Sequence, residues 1–435
     1  MKKNAIVTGI LIIVAAVTYF YAVFIHSPET GRIDAVSHLS PDLNARLETI
    51  QSRVRKMGED EIDFWTRYGP DPVHGGFYGK IDRRGTGDPD ADKGLIQQTR
   101  HLITFSLLYR HRRPADAVKA IADAQYSYII KTFYDTGKQA FRSRVGADGT
   151  PKDEAKQLYT ESFAIYSLSL YACVFGNNEA AELALRCFRE MDARIHDGVH
   201  GGFDQTGDRA RRLPEGVGKE TNTHMHLLES ITALYEATAD PVSKQRLEEM
   251  IRVFCENILQ PDNYCHTAFG LDWTPQGDNR VEYGHDLQSA WLLMNAARVL
   301  GRIADSEIIH AVTSMGVHSS CEGFDPDNGG YYYTGMVHGD ITRPNKDWWV
   351  QAECLSGLWW MFSLTGDTVH LDRMEKTLDW LDNNLIDSEY GGWYAKIDPG
   401  EPPSGNGYKS DYWKSSYHSC RALILVDAWI DSYLK

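Results

Sequence analysis

No two of the seven cysteines (Cys173, Cys187, Cys255, Cys265, Cys321, Cys354 and Cys420) stand two residues apart, so no CxxC zinc or redox cluster can be drawn. Their odd number leaves at least one thiol unpaired, and cysteines scattered this way serve as small core residues. Positive charge is also short. Lys and Arg number 45 against 60 Asp and Glu, the net charge is -15, and no basic patch stands out, which excludes nucleic acid as a partner. Long apolar runs are missing but for one. Residues 5–25, behind Lys2 and Lys3, are long enough as a helix to span a bilayer and overrun the short apolar core of a cleavable signal. The expectation is a transmembrane helix serving as membrane anchor within residues 1–30, a linker over 31–40 and a catalytic domain over 41–435. The lysines would stay cytoplasmic and the domain would lie outside the cytoplasm, periplasmic or extracellular. Secretion after cleavage of the segment is the alternative.

Aromatic residues, by contrast, abound: 11 Trp, 23 Tyr and 15 Phe, more than core filling asks for, as on a carbohydrate-lined surface. They also mark a repeat. Look-alike pieces HGGFYGKID, KQAFRSRV, HGGFDQTG, HTAFGLDW, NGGYYYTG and YGGWYAKID align on Phe77, Phe141, Phe203, Phe269, Tyr331 and Trp393, at spacings of 64, 62, 66, 62 and 62 residues. Six units of one length are the signature of a stacked or closed array. Each unit carries a short Gly and aromatic hairpin, an apolar helix and a charged amphipathic helix. The apolar helices begin near Gln97, Gln157, Thr221, Gly284, Trp348 and Tyr417; the charged ones cover 115–133, 178–195, 241–259, 305–317 and 367–385, with an opening helix over 41–67. Apolar helices inside and amphipathic ones outside make an all-α double ring. No polar capping repeat is present, so the ring closes rather than forming an open solenoid.

Closure gathers the starts of the inner helices at one mouth, beside the hairpins. Arg100, Tyr159, Asn222, His285, Trp349 and His418 stand at comparable distances behind the six aromatics. The stretch KETNTHMHLLES over 219–230 adds a polar seam to an apolar helix: Asn222, His226 and Glu229 share one face and His224 points away. The same spacing groups His285 with Gln288 and Ser289, and Trp349 with Glu353. Three histidines (His226, His285, His418), the Arg100 guanidinium and aromatic plates around a ring cavity suit a polyhydroxylated substrate with a transferable proton. Histidine takes and returns protons near neutral pH, Arg100 stabilises a developing enolate, and Trp349 and Trp413 present flat faces to a pyranose. Phe77, Phe203 and Trp393 read as hairpin core, and His74, His101 and His200 as structural or surface groups.

At these residues the chain resembles the N-acylglucosamine 2-epimerase family, cellobiose 2-epimerases above all. The resemblance runs from about Leu43 onward and rests on KGLIQQTRHLITFSLLYR, NTHMHLLES, EYGHDLQSAWLL, KDWWVQAE and WKSSYH in that order. It implies an (α/α)6 barrel with short β-hairpins at one mouth, and metal-independent, cofactor-free epimerisation at C2 of a reducing-end sugar, sometimes with aldose–ketose isomerisation. Matched motif by motif, it implies that His285 and His418 form the acid/base pair and that His226 assists ring opening. Arg100 and Asn222 would bind sugar oxygens, Trp349 and Trp413 would stack, and Glu353 would orient a partner; Tyr159 and Gln288 complete the expected pocket. Two departures stand out. Gln288 occupies the position where those epimerases have glutamate, which leaves an amide to orient His285 without balancing its charge. Ser415 and Ser416 replace Cys-Pro, which is expected to loosen the approach to His418.

Three other functions fit parts of the sequence. An inverting glycoside hydrolase on the same double ring would use two of Glu353, Asp286 and Glu229. A metal site would need His224, His226 and His285, but the first two face opposite ways. A non-catalytic, membrane-anchored sugar-binding protein is compatible with Gln288. The partner in every case is a mono- or disaccharide; composition fixes neither the sugar nor the oligomeric state.

Overall fold

Ser40 starts the first helix: its hydroxyl accepts from the Leu43 N–H at 3.2 Å, and Pro41 takes the first helical position. Asn177, Asp240 and Asp305 cap three more outer helices in the same way. In the computed structural model, which describes residues 40–112, 115–153, 157–207, 213–401 and 407–435, these caps belong to a set of twelve α-helices. They are α1 (Pro41–Tyr68), α2 (Leu95–His111), α3 (Asp116–Phe133), α4 (Leu158–Phe175), α5 (Asn178–Ile195), α6 (Thr221–Thr238), α7 (Pro241–Val253), α8 (Tyr283–Val299), α9 (Ser306–Glu322), α10 (Trp348–Thr365), α11 (Val369–Trp380) and α12 (Tyr417–Leu434). The helix starting at Ser306 runs on to Glu322, past the expected end at 317. Helices α7 and α11 each continue through a π-helical turn, Phe254–Ile258 and Leu381–Leu385.

Even-numbered helices pack side by side, α2 on α4 and onward to α12, and α12 packs back on α2. Each carries one outer helix, with α1 lying on α12. The double ring therefore closes, and the inner helices are buried on nearly every face.

None of the six inner helices has a side-chain N-cap. Four of them leave directly from short strands, Lys93–Gly94, Lys219–Glu220, Arg280–Glu282 and Lys346–Asp347, which pair with strands of the following repeat. An Ile81–Ser410 bridge stitches the first hairpin to the last loop.

Four hairpins share one buried clip. Asp71 accepts from the Val73 and His74 backbone N–H groups and from Lys93, which also donates to the Gly75 carbonyl at 2.6 Å. The pairs Asp197–Lys219, Asp325–Lys346 and Asp387–Lys409 repeat it. The adjoining glycines take positive φ; a Cβ on Gly202 (φ +74) would meet the His224 ring at 3.0 Å.

The expected membrane segment, residues 5–25, lies outside the described residues. Among the described residues no helix is long and apolar enough to cross a membrane.

Candidate active site

Four inner helices build the centre of the site. His418, in the first turn of α12, hydrogen-bonds through Nδ1 to Glu353 Oε1 of α10 at 2.6 Å. The same oxygen accepts from Arg421 Nη2 at 2.6 Å, and Glu353 Oε2 accepts from Trp291 Nε1 at 3.0 Å. Arg421 reaches on to Glu229 of α6, which also accepts from the Tyr417 hydroxyl at 2.5 Å and bonds His226 Nδ1 at 3.3 Å. These groups are buried, so each charge is answered by an opposite one. Burial, then the charges of Arg100, Arg421 and His226, hold the His418 ring well below the usual histidine value, so it is neutral at pH 7. Burial brings His226 down to about 4, with Glu229 opposing. For Glu229 burial pushes up most strongly, but Arg421, His226 and Tyr417 together outweigh it and the carboxylate is held low.

His285 and His418 both lie beside the indole of Trp349. The Trp349 ring sits 4.7 Å from the His285 ring and 6.1 Å from that of His418, centroid to centroid. With Nδ1 of His418 tied to a carboxylate, its Nε2 is the nitrogen left for a substrate. The expectation that the Gln288 amide orients His285 is not met. The His285 Nδ1 contact is the carboxylate of Glu282, three residues earlier, while Gln288 is fully buried with neither amide atom hydrogen-bonded.

Around this pair, Arg100 donates to the Trp413 carbonyl at 2.7 Å and to the Tyr159 hydroxyl at 3.1 Å, lying over the Phe163 and Tyr417 rings. Its Nε and Asn222 Oδ1 are buried without a partner, the condition in which a sugar hydroxyl gains most. Trp413 is 53% exposed, its ring edge-on to Tyr159. Of the serines before Tyr417, Ser416 is buried, donates to Thr104 at 2.9 Å and bonds His101 Nδ1 at 2.9 Å.

Several expected bystanders stay outside. His224 bonds the Glu220 carbonyl and the Phe203 N–H with its two nitrogens, and His101 stacks on Phe77 at 4.0 Å. Among the described residues no group of three His, Cys, Asp or Glu converges as for a metal ion. The carboxylates a hydrolase would need are committed: Glu353 and Glu229 as above, and Asp286 to Ser319 Oγ at 2.7 Å and the Cys265 N–H. All seven cysteines are free thiols.

The sequence profile of the N-acylglucosamine 2-epimerase (GlcNAc 2-epimerase) family matches residues 76–422. A cellobiose 2-epimerase of Bacteroides fragilis is 32% identical over 384 residues, covering 86% of this chain and 97% of that protein. One from Dictyoglomus turgidum is 28% identical, covering 87% and 98%. The solved structure of cellobiose 2-epimerase from Spirochaeta thermophila superposes with a TM-score of 0.83 at 30% identity, over 91% of this chain and 100% of that one. A fold of six helix pairs, two histidines about one indole and a family match spanning the barrel agree: the chain belongs to the N-acylglucosamine 2-epimerase family and is a carbohydrate epimerase.

Proposed function

We propose that the barrel epimerises the reducing-end sugar of a disaccharide of the cellobiose type at C2, with His285 and His418 as the acid/base pair. The observation that carries this is the pair of imidazoles beside one indole, that of Trp349, each with Nδ1 against a carboxylate. His226 assists opening of the sugar ring. In the open aldehyde one histidine takes the C2 proton, and the C–H electron pair forms the C1=C2 bond of a cis-enediolate whose charge gathers on O1 near Arg100. The histidine on the other face returns a proton to C2, the electrons flow back to restore the C1 carbonyl, and the epimer recloses. Asn222, Tyr159 and Gln288 hold sugar hydroxyls, and Trp349 and Trp413 stack on pyranose faces. The experiment is proton NMR of the protein with cellobiose in D2O. Solvent deuterium at C2 of the epimer is the expected result; product without it refutes the two-histidine route.

The lysine-led apolar stretch 5–25 supports placing the domain outside the cytoplasm on a membrane anchor. Recovery of the full chain in the supernatant after alkaline extraction of membranes would refute that placement.

A further inference from the structure

We infer that Glu282 is the positioning residue of His285, supplying from three residues before the histidine the carboxylate that the Gln288 amide, three residues after it, cannot. Glu282 ends the strand Arg280–Glu282, its backbone fixed opposite Thr334, and is the residue from which α8 leaves. A spacing of three residues across the first helical turn lays its side chain over that of His285, and its carboxylate contacts His285 Nδ1. Gln288 sits at the corresponding distance on the other side, and its amide takes no partner at all. An amide cannot balance an imidazolium, whereas a carboxylate holds the Nδ1–H, fixes the tautomer and leaves Nε2 for the substrate.

The charged neighbours fit this role. Asp286, the next residue on the helix, couples to His285, but burial pushes its carboxyl up to about 7, and the Trp349 ring of α10 lies beside His285. Glu282 itself feels Arg280 of its own strand and Arg343 of the strand Ile341–Arg343 in the same sheet, and lies beside Tyr333. Burial would raise the Glu282 carboxyl, but the contact with His285 and the charges of Arg280 and Arg343 together draw it below the usual value, so it stays ionised at neutral pH. Both histidines of the site thus have a carboxylate on Nδ1, Glu353 reaching His418 from a neighbouring helix and Glu282 reaching His285 from the strand before its own.

The inference rests on the proposed role of His285 in proton transfer, and the test separates the two. In Glu282→Gln, kcat for C2 exchange should fall roughly 10- to 100-fold with KM and melting temperature near wild type. The acid limb of its pH profile should move, Glu282→Asp should recover part of the rate, and Glu282→Gln with Gln288→Glu should recover more than Glu282→Gln alone. Nitrogen-15 NMR of the histidines in the sugar-free protein reads the link without turnover: the His285 ring should be the Nδ1–H tautomer in wild type and lose that preference in Glu282→Gln. An active wild type whose Glu282→Gln variant keeps its rate, pH profile and His285 tautomer overturns the inference, as does a rate loss that only tracks a fallen melting temperature. A wild type that exchanges no C2 proton refutes the epimerase mechanism instead, while the ring tautomer still decides whether Glu282 holds His285.

Discussion

Replacing Glu353 by glutamine keeps the side chain's shape and removes its charge. Its Oε1 takes two charge-assisted bonds at 2.6 Å, from His418 and Arg421, and its Oε2 takes the Trp291 N–H at 3.0 Å. Glutamine offers one acceptor and one NH2. With its oxygen toward His418 and Arg421, the NH2 meets the Trp291 N–H; turned round, the NH2 meets the imidazole and the guanidinium. Each orientation sets donor against donor in a site closed to solvent. Arg421 retains Glu229, so the cost falls at the low end of that for breaking a buried ion pair, about 3 kcal/mol, or a fall of about 3–4 °C in melting temperature for a chain this size. The larger effect is on the reaction. His418 loses the acceptor that fixes its tautomer, and kcat should drop by about 10²-fold or more with KM nearly unchanged. Initial rates of C2 deuterium wash-in, taken well below the melting temperature, measure it. A variant with lowered melting temperature but kcat within about threefold of wild type would reduce Glu353 to a counter-ion of Arg421 and refute its role in orienting His418.

Three other outcomes follow from the geometry. Arg100→Lys keeps the charge but cannot reach both the Trp413 carbonyl and the Tyr159 hydroxyl, so kcat/KM for epimerisation should fall about 10- to 100-fold by steady-state kinetics. His226, held neutral down to about pH 4 in the fold, takes a proton near pH 6.5 once unfolded. Its burial therefore costs nothing above about pH 6.5 and increasingly destabilises the fold as pH drops toward 4, by about 3 kcal/mol at the end; thermal melts of His226→Asn should lose less stability over that range than wild type. Lys219→Met strands the Asp197 carboxylate, held near 2 chiefly by Lys219 against burial, and should cost about 3–5 kcal/mol in denaturant unfolding while leaving the acid/base pair in place.

Much of the architecture was legible because it is local. The period of the aromatics and the switch between apolar and amphipathic helices place the starts at Thr221, Trp348 and Tyr417 where the structure has them. The stripe joining His226 to Glu229 survives as a hydrogen bond. Partners brought together by ring closure were not legible. Glu229 meets Tyr417 across 188 residues and Arg421 across 192, separations on which helical spacing is silent. Glu282 was hidden differently, in a strand residue just ahead of the helix, where a search along one helical face ends. The Asp–Lys clips left a signal, a lysine 21 or 22 residues beyond the aspartate of each Gly-Gly hairpin, which alignment on the aromatics alone passed over.

Helix α12 is the keystone of the ring: it lies between α10 and α2 and brings His418 and Arg421 with it. Its contacts with α1 and α2 join the two ends of the barrel's sequence, pairings of the kind that chain entropy makes slowest to form. Partly assembled barrels would accordingly be both unsealed and inert, so that acquisition of a closed wall and acquisition of the proton carrier are one event during folding.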